Sequence, residues 1–141
     1  MNKKVWIGAV VVFVVICIWQ FLVHAVLLKE LYMQTATLWR PEAEMKFGVF
    51  YMVYAIQAFF FTLIFSKGYE GKGIGEGIRY GILVGVLIAV GMGYGTYGSM
   101  PIPYTLAMQW FLYGVIEFLL AGIAVALVFG KNAMISSMTK R

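Results

Sequence analysis

The chain has 141 residues, of which 62% are hydrophobic and 12% charged, and its mean hydropathy is +0.87. Composition of that kind excludes a soluble domain of this size and selects an integral membrane protein. A single cysteine, Cys17, excludes an intramolecular disulfide or thiol-pair redox chemistry, and a single histidine excludes a His-rich metal site.

Four stretches reach the roughly 20 apolar residues that a helix needs to cross the hydrocarbon core. The first runs from Val5 to Leu28 behind a short basic run, Asn2-Lys3-Lys4. It exceeds the roughly 7 to 15 apolar residues of a signal peptide and has no small-residue cleavage site before Lys29, which predicts a retained helix. The polar loop Lys29 to Lys46 is long enough for an interfacial helix. Within it Pro41 suits the first turn of a helix, and Glu42 and Lys46 are spaced for a helical ion pair.

The second span is Phe47 to Ser66, followed by a loop from Lys67 to Arg79 that is rich in glycine. This loop lacks the Lys-Ser/Thr ending of a phosphate-binding loop and reads as a linker. The third span, Tyr80 to Ser99, and the fourth, Tyr104 to Phe129, meet at a compact Pro101-Ile102-Pro103-Tyr104 turn that predicts an antiparallel hairpin. Lys3, Lys4, Lys67, Lys72, Arg79, Lys131, Lys140 and Arg141 fall on one side of these spans, and only Lys29, Arg40 and Lys46 on the other. The asymmetry predicts that both termini are cytoplasmic. It also explains the net charge of +5 by anchors that favour anionic head groups, without nucleic acid. The expected fold is all-α: a single transmembrane domain over residues 1–141, a four-helix bundle made of two hairpins.

Small residues predict how such a bundle packs. Gly73, Gly77, Gly81, Gly85, Ala89 and Gly93 recur every four positions, and Gly114, Gly122, Ala126 and Gly130 form a shorter ridge on the fourth span. With lipid as the solvent, GxxxG ridges of this type let helix backbones approach closely. The partner can be another span, a second copy of the chain or another membrane protein; a four-helix bundle favours the first.

Polarity inside the spans is one-sided and confined to the half remote from the termini. Gln20 with His24, Tyr51 with Tyr54 and Gln57, and Gln109 with Tyr113 and Glu117 are three or four residues apart, and Tyr94 with Tyr97 adds a shorter set. Together Gln20, His24, Tyr54, Gln57, Tyr97, Gln109, Tyr113 and Glu117 predict an outward-opening polar vestibule, with Trp39 and Arg40 at its mouth. Glu117 is its sharpest member. An ionisable group in mid-span costs roughly 2.5 to 3.5 kcal/mol and so faces protein or water. It serves either as a ligand or proton site, or as a carboxyl that pins helices by hydrogen bonds to Gln57 or a tyrosine. His24 reads as a packing residue, a proton acceptor, or an axial haem ligand paired with a methionine. Tyr32, Trp39, Tyr104 and Trp110 fit the ordinary aromatic belt of a membrane interface.

The segment HAVLLKELYMQTATLWRPEAEM from His24 to Met45, with GIRYGILVG at Gly77 to Gly85 and PIPYTLAMQW at Pro101 to Trp110, resembles a group of small bacterial four-helix membrane proteins of unknown function. LWRPE and PIP are the most specific parts. The resemblance implies a multi-pass protein of a bacterial inner membrane and transfers no catalytic residue.

Two functions follow as expectations. The first is a non-catalytic module that binds a lipid, a quinone or a partner subunit through the vestibule, with no metal and no resident cofactor; haem and quinone are the cofactors the residues allow. The second is a small proton-coupled transporter or channel in which Glu117 titrates. An enzyme using Glu117 and His24 as acid and base ranks third, because their separation in depth is poor for direct proton transfer.

Overall fold

The structure is a computed structural model that describes residues 2–139, with side chains over residues 2–130, and every element in it is helical. Lys140 and Arg141, and the side chain of Lys131, which enter the charge asymmetry, lie outside the described residues. Four helices are long and apolar enough to cross a membrane: α1 (Lys3–Leu27), α3 (Phe47–Gly68), α4 (Ile74–Ser99), and the Tyr104–Gly130 part of α5 (Tyr104–Thr139). The chain is a membrane protein. A short helix, α2 (Lys29–Gln34), lies between α1 and α3. The end carrying Asn2, residues 69–73 and Gly130 is here the basal end; residues 28–46 and 100–103 form the apical end.

Asn2 starts α1 by accepting the Lys4 amide on its side-chain oxygen at 3.1 Å, which satisfies one of the unpaired N–H groups of the first turn. α4 begins at Ile74, a turn and a half before the Tyr80 expected from hydropathy. The cause is Glu76, a polar residue that hydropathy counts against a helix but that is buried here. Its carboxylate accepts the backbone N–H groups of Glu70 at 2.6 Å and Lys72 at 3.0 Å, folding the connection back over the start of α4. Gly71 and Gly73 supply the φ values of 78° and 76° that this reversal needs. Lys72 beside Glu70 holds the Glu70 carboxyl below its usual range. The glycine-rich linker is therefore short and tied down.

The intimate pair is α4 with α5. A Cβ at Gly77 would fall on the carbonyl oxygen of Gly122, and one at Gly81 on that of Phe118. At Gly85 it would come within 3.0 Å of the Val115 Cα, and at Gly93 within 2.6 Å of the Ala107 carbonyl oxygen. The small-residue face of α4 thus lies against α5 of the same chain, backbone to backbone, with Gly114 meeting Ala89 from the other side. Gly8 does the same for α1: a Cβ there would lie 2.7 Å from the Thr62 methyl group of α3.

α1 packs against both α3 and α5. In the basal half Val5, Val12 and Ile16 of α1, Phe61 and Phe65 of α3, and Phe118 and Val125 of α5 are buried in one apolar core. Tyr80 of α4 joins it through its ring, 4.6 Å from that of Phe61, and through a hydroxyl that donates to the Phe61 carbonyl at 2.6 Å. In contrast, no residue of α3 from Phe47 to Gln57 is buried. The apical half of α3 is mostly exposed, and Tyr54, packed against the core, and Gln57 are its half-buried residues.

The apical connection is built differently from the expected continuous helix. After α2 come 3-10 turns at Ala36–Leu38 and Glu42–Glu44, and Met45 is extended, with φ −65° and ψ 132°. Glu42 and Lys46 therefore do not share a helix and form no ion pair among the described residues. A second apolar core of Val23, Leu28, Ile102, Leu106 and Ala107 holds this segment onto α1 and α5.

Candidate functional site

Two helices depart from α geometry at the same level of the fold. α1 ends in a π-helical segment, Leu22–Leu27, and α4 carries another at Gly91–Gly95. In the first, the Leu28 N–H reaches back five residues to the Val23 carbonyl at 2.8 Å. Such widened turns rearrange which side chains share a face, and they concentrate at functional sites. Val23 and His24 from one segment and Met92 from the other line a single narrow cleft between α1, α4 and α5.

Glu117 lies at the floor of this cleft and is 4% exposed. Its Oε2 accepts a hydrogen bond from Gln20 Nε2 at 2.7 Å, and its Oε1 has no protein donor among the described residues. Gln20 in turn accepts from the Tyr54 hydroxyl at 3.5 Å, a long contact that links α3 to the pair. Three helices thus converge on one carboxyl group that lines the cleft and has one oxygen without a protein donor among the described residues.

The wall is aromatic. Trp19 and Tyr113 meet edge to face at 6.4 Å, and the Trp19 indole N–H is fixed on the Tyr113 carbonyl at 3.0 Å. Trp110 donates its indole N–H to the Tyr32 hydroxyl at 2.8 Å, and Tyr32 also meets His24 Nδ1 at 2.5 Å. An indole can only donate, so the Tyr32 oxygen is the acceptor there; with a second lone pair and a proton of its own, the hydroxyl can either donate to His24 Nδ1 or accept from it. Burial pushes the Tyr32 hydroxyl above its ordinary range, partly opposed by the bond from Trp110. Trp39 covers the same group, its ring 5.8 Å from that of Trp110 and its N–H on Thr35 Oγ1 at 2.8 Å. The cleft is half open and holds about 20 Å³. One water needs about 10–15 Å³ measured this way, so only a water-sized group fits without movement of the walls.

The structure brings together Gln20, His24, Tyr113 and Glu117, with Tyr54 attached through Gln20 and Trp39 over the apical side. It leaves others apart. Gln57 and Gln109 are half-buried and make no side-chain hydrogen bond among the described residues, Tyr97 is exposed beside Tyr104, and Arg40 is exposed. Hydrogen-bonding to Glu117, expected of Gln57 or a tyrosine, falls to Gln20. Trp19, Tyr32, Met92 and Trp110 complete the site, although their sequence positions suggest only lipid-facing or interfacial roles. The available signal was heptad spacing: Trp110 and Glu117 are seven residues apart and differ by only about 20° around a helix, while Gln109 is about 80° away.

Tyr32→Phe removes the hydroxyl that serves both Trp110 and His24. Leaving a buried donor unpaired costs roughly 1–3 kcal/mol. The variant is expected to lose about 2 kcal/mol of stability and to speed amide exchange in residues 28–39 specifically. Exchange at the wild-type rate in that segment would show that the apolar contacts of Leu28 alone hold it.

No protein family, no curated protein and no solved structure matches the chain.

Proposed function

We propose that the chain is a non-catalytic, multi-pass protein of a bacterial inner membrane, a four-helix bundle of two hairpins with both termini in the cytoplasm, whose outward cleft binds the polar head of a lipid. The orientation rests on the excess of lysine and arginine at the basal end. The reading of the cleft rests on one observation: Glu117 is buried in the lining of the cleft with one oxygen held by Gln20 and the other without a protein donor among the described residues. A carboxyl serving only to pin helices would have its acceptor sites occupied by protein, since unmatched polar atoms inside a membrane protein are costly. The size of the cleft favours a small head group over the flat ring of a quinone or a haem, and the small-residue ridge of α4, occupied by α5, favours a lipid over a partner subunit docking there.

A second reading, a proton-coupled transporter with Glu117 as the titrating group, draws support from the two π-helical segments, because a widened turn in each wall offers a way for the cleft to change shape. Against it stands the basal core. Below Glu117 the core of Phe118, Ala121, Val125 and Phe129 of α5 and Val5, Val12 and Ile16 of α1 is apolar; the hydroxyls in this half are those of Thr62, which has no partner among the described residues, and Tyr80, which donates to the Phe61 carbonyl.

The binding reading is tested by native mass spectrometry of the wild type and Glu117→Gln released from mild detergent. The amide keeps a hydrogen-bonding group of the same size and removes the charge. An added mass on the wild type that is lost from the variant is the expected result; a bare chain in both would end this reading. Flux of protons in proteoliposomes that stops in Glu117→Gln would establish transport in its place.

A further inference from the structure

Resting on the lipid-binding reading of the cleft, the geometry points to a primary ammonium group, R–NH3+, as the moiety that the cleft receives, bound ionically to Glu117 Oε1. Four observations carry this. First, the Glu117 carboxyl lines the cleft with one oxygen, Oε1, that has no protein donor among the described residues, since Gln20 has already taken Oε2. Second, although the chain as a whole is cationic at +5, no lysine or arginine lines the cleft, where the ionisable side chains are Glu117, His24 and Tyr113. An ionised carboxylate buried in a membrane needs a counter-charge, and no lysine or arginine supplies one within the cleft.

Third, Trp19, Trp110 and Tyr113 line the same cleft as the carboxyl, and the faces of aromatic rings attract cations through their quadrupoles. The N–H groups of both indoles are engaged elsewhere, on the Tyr113 carbonyl and the Tyr32 hydroxyl, so neither competes with the ligand as a donor to Glu117. An anionic head group would meet a carboxyl group and aromatic rings, the wrong charge on both counts. Fourth, the volume of about 20 Å³ admits an NH3+ group, which is close to water in size, and excludes a trimethylammonium group. The cleft therefore distinguishes primary from quaternary amines.

The primary ammonium can belong to an aminolipid or to a small soluble amine, and the experiment separates them. In the first arm the protein is taken into nanodiscs containing equal amounts of phosphatidylethanolamine and phosphatidylcholine, then released and weighed by native mass spectrometry. The second arm measures thermal unfolding in detergent with methylammonium chloride, tetramethylammonium chloride or sodium chloride at equal ionic strength. We expect at least tenfold retention of phosphatidylethanolamine over phosphatidylcholine if the source is lipid. A rise in melting temperature of several degrees with methylammonium alone is expected if a small amine suffices. Either result supports the proposal and names the source, and both effects should disappear in Glu117→Gln.

Equal retention of the two lipids together with no difference between methylammonium and tetramethylammonium overturns it. The comparison of the two amines on the wild type needs no variant, so a folding defect in Glu117→Gln does not obscure the outcome. If a different mass is carried by the wild type and lost from Glu117→Gln, the ammonium assignment fails while binding at the cleft stands. A chain bare of any mass that also ignores both amines removes both.

Discussion

Gly81→Leu is expected to part α4 from α5 and to cost about 3 kcal/mol or more, the upper end of what overpacking usually costs. The obstacle at this position is backbone. A Cβ would fall on the Phe118 carbonyl oxygen and within 2.9 Å of the Leu119 Cα, and neither can rotate away as a side chain would. Relief requires the helices to separate, which also loosens the contacts at Gly77 and Gly85 on the same face. In lipid those contacts are most of what holds the pair, because burial from water gives no drive for helices to associate once inserted. Gly75→Ala is the matched control: it lies on the same helix with nothing within 4 Å of its added Cβ, and should remain within about 1 kcal/mol of the wild type. Unfolding in mixed micelles of rising SDS content, followed by far-ultraviolet circular dichroism, measures both. Coincident curves for Gly81→Leu and the wild type would refute the close approach of α4 and α5.

The second large effect is expected at Phe61. Its ring lies 4.6 Å from that of Tyr80 and 5.5 Å from that of Phe118, and its carbonyl accepts the Tyr80 hydroxyl, so it ties α3 to both α4 and α5. Phe65, with its ring 5.3 Å from that of Tyr80 and 5.5 Å from that of Phe129, is the other aromatic link, and the apical half of α3 adds no buried residue. Phe61→Ala should cost roughly 3 kcal/mol, the low end of the range for a buried phenylalanine, since lipid surrounds both states and the lost contribution is packing. It should also act locally. A disulfide-trapping pair placed across α3 and α4 is expected to crosslink less efficiently in the variant, while one across α4 and α5 is unaffected. Equal loss at both pairs would mean that the bundle melts as one unit and that α3 is not separately held.

Hydropathy was sufficient for the four helices because a span is a one-dimensional property, a run of apolar residues long enough for the membrane. It stopped α5 at Phe129, short of its end at Thr139, and missed the start of α4, where a charged residue is buried: Glu76 satisfies two backbone donors, a relation between residues that no window average contains. Glycine spacing pointed to the close face of α4 for the same reason that it makes that face, since a four-residue repeat is nearly a straight line along a helix. The site was harder to read. A four-residue step advances about 40° beyond a full turn, so two such steps carry Gln109 away from the face of Glu117, and the seven-residue step to Trp110 was the better guide. On α3 the three-residue steps drift in the opposite sense, and Tyr54 reaches Gln20 where Gln57 does not. The π-helical segments left no mark in composition beyond the glycines at 91, 93 and 95, and His24 owes its place in the cleft to one of them.

The link from Tyr54 to Gln20 and on to Glu117 also has an order in time. Gln20 is 34 residues from Tyr54 and 97 from Glu117, so during synthesis the tyrosine is made 63 residues (97 − 34) before the carboxylate. At roughly 5–20 residues per second that interval is about 3 to 13 s. Throughout it a lone amide sits in an apolar helix among lipid, and Tyr54 is the partner within reach. The two bonds use different ends of the amide: Tyr54 donates to its oxygen, whereas its NH2 group meets its acceptor only once Glu117 of α5 has been made.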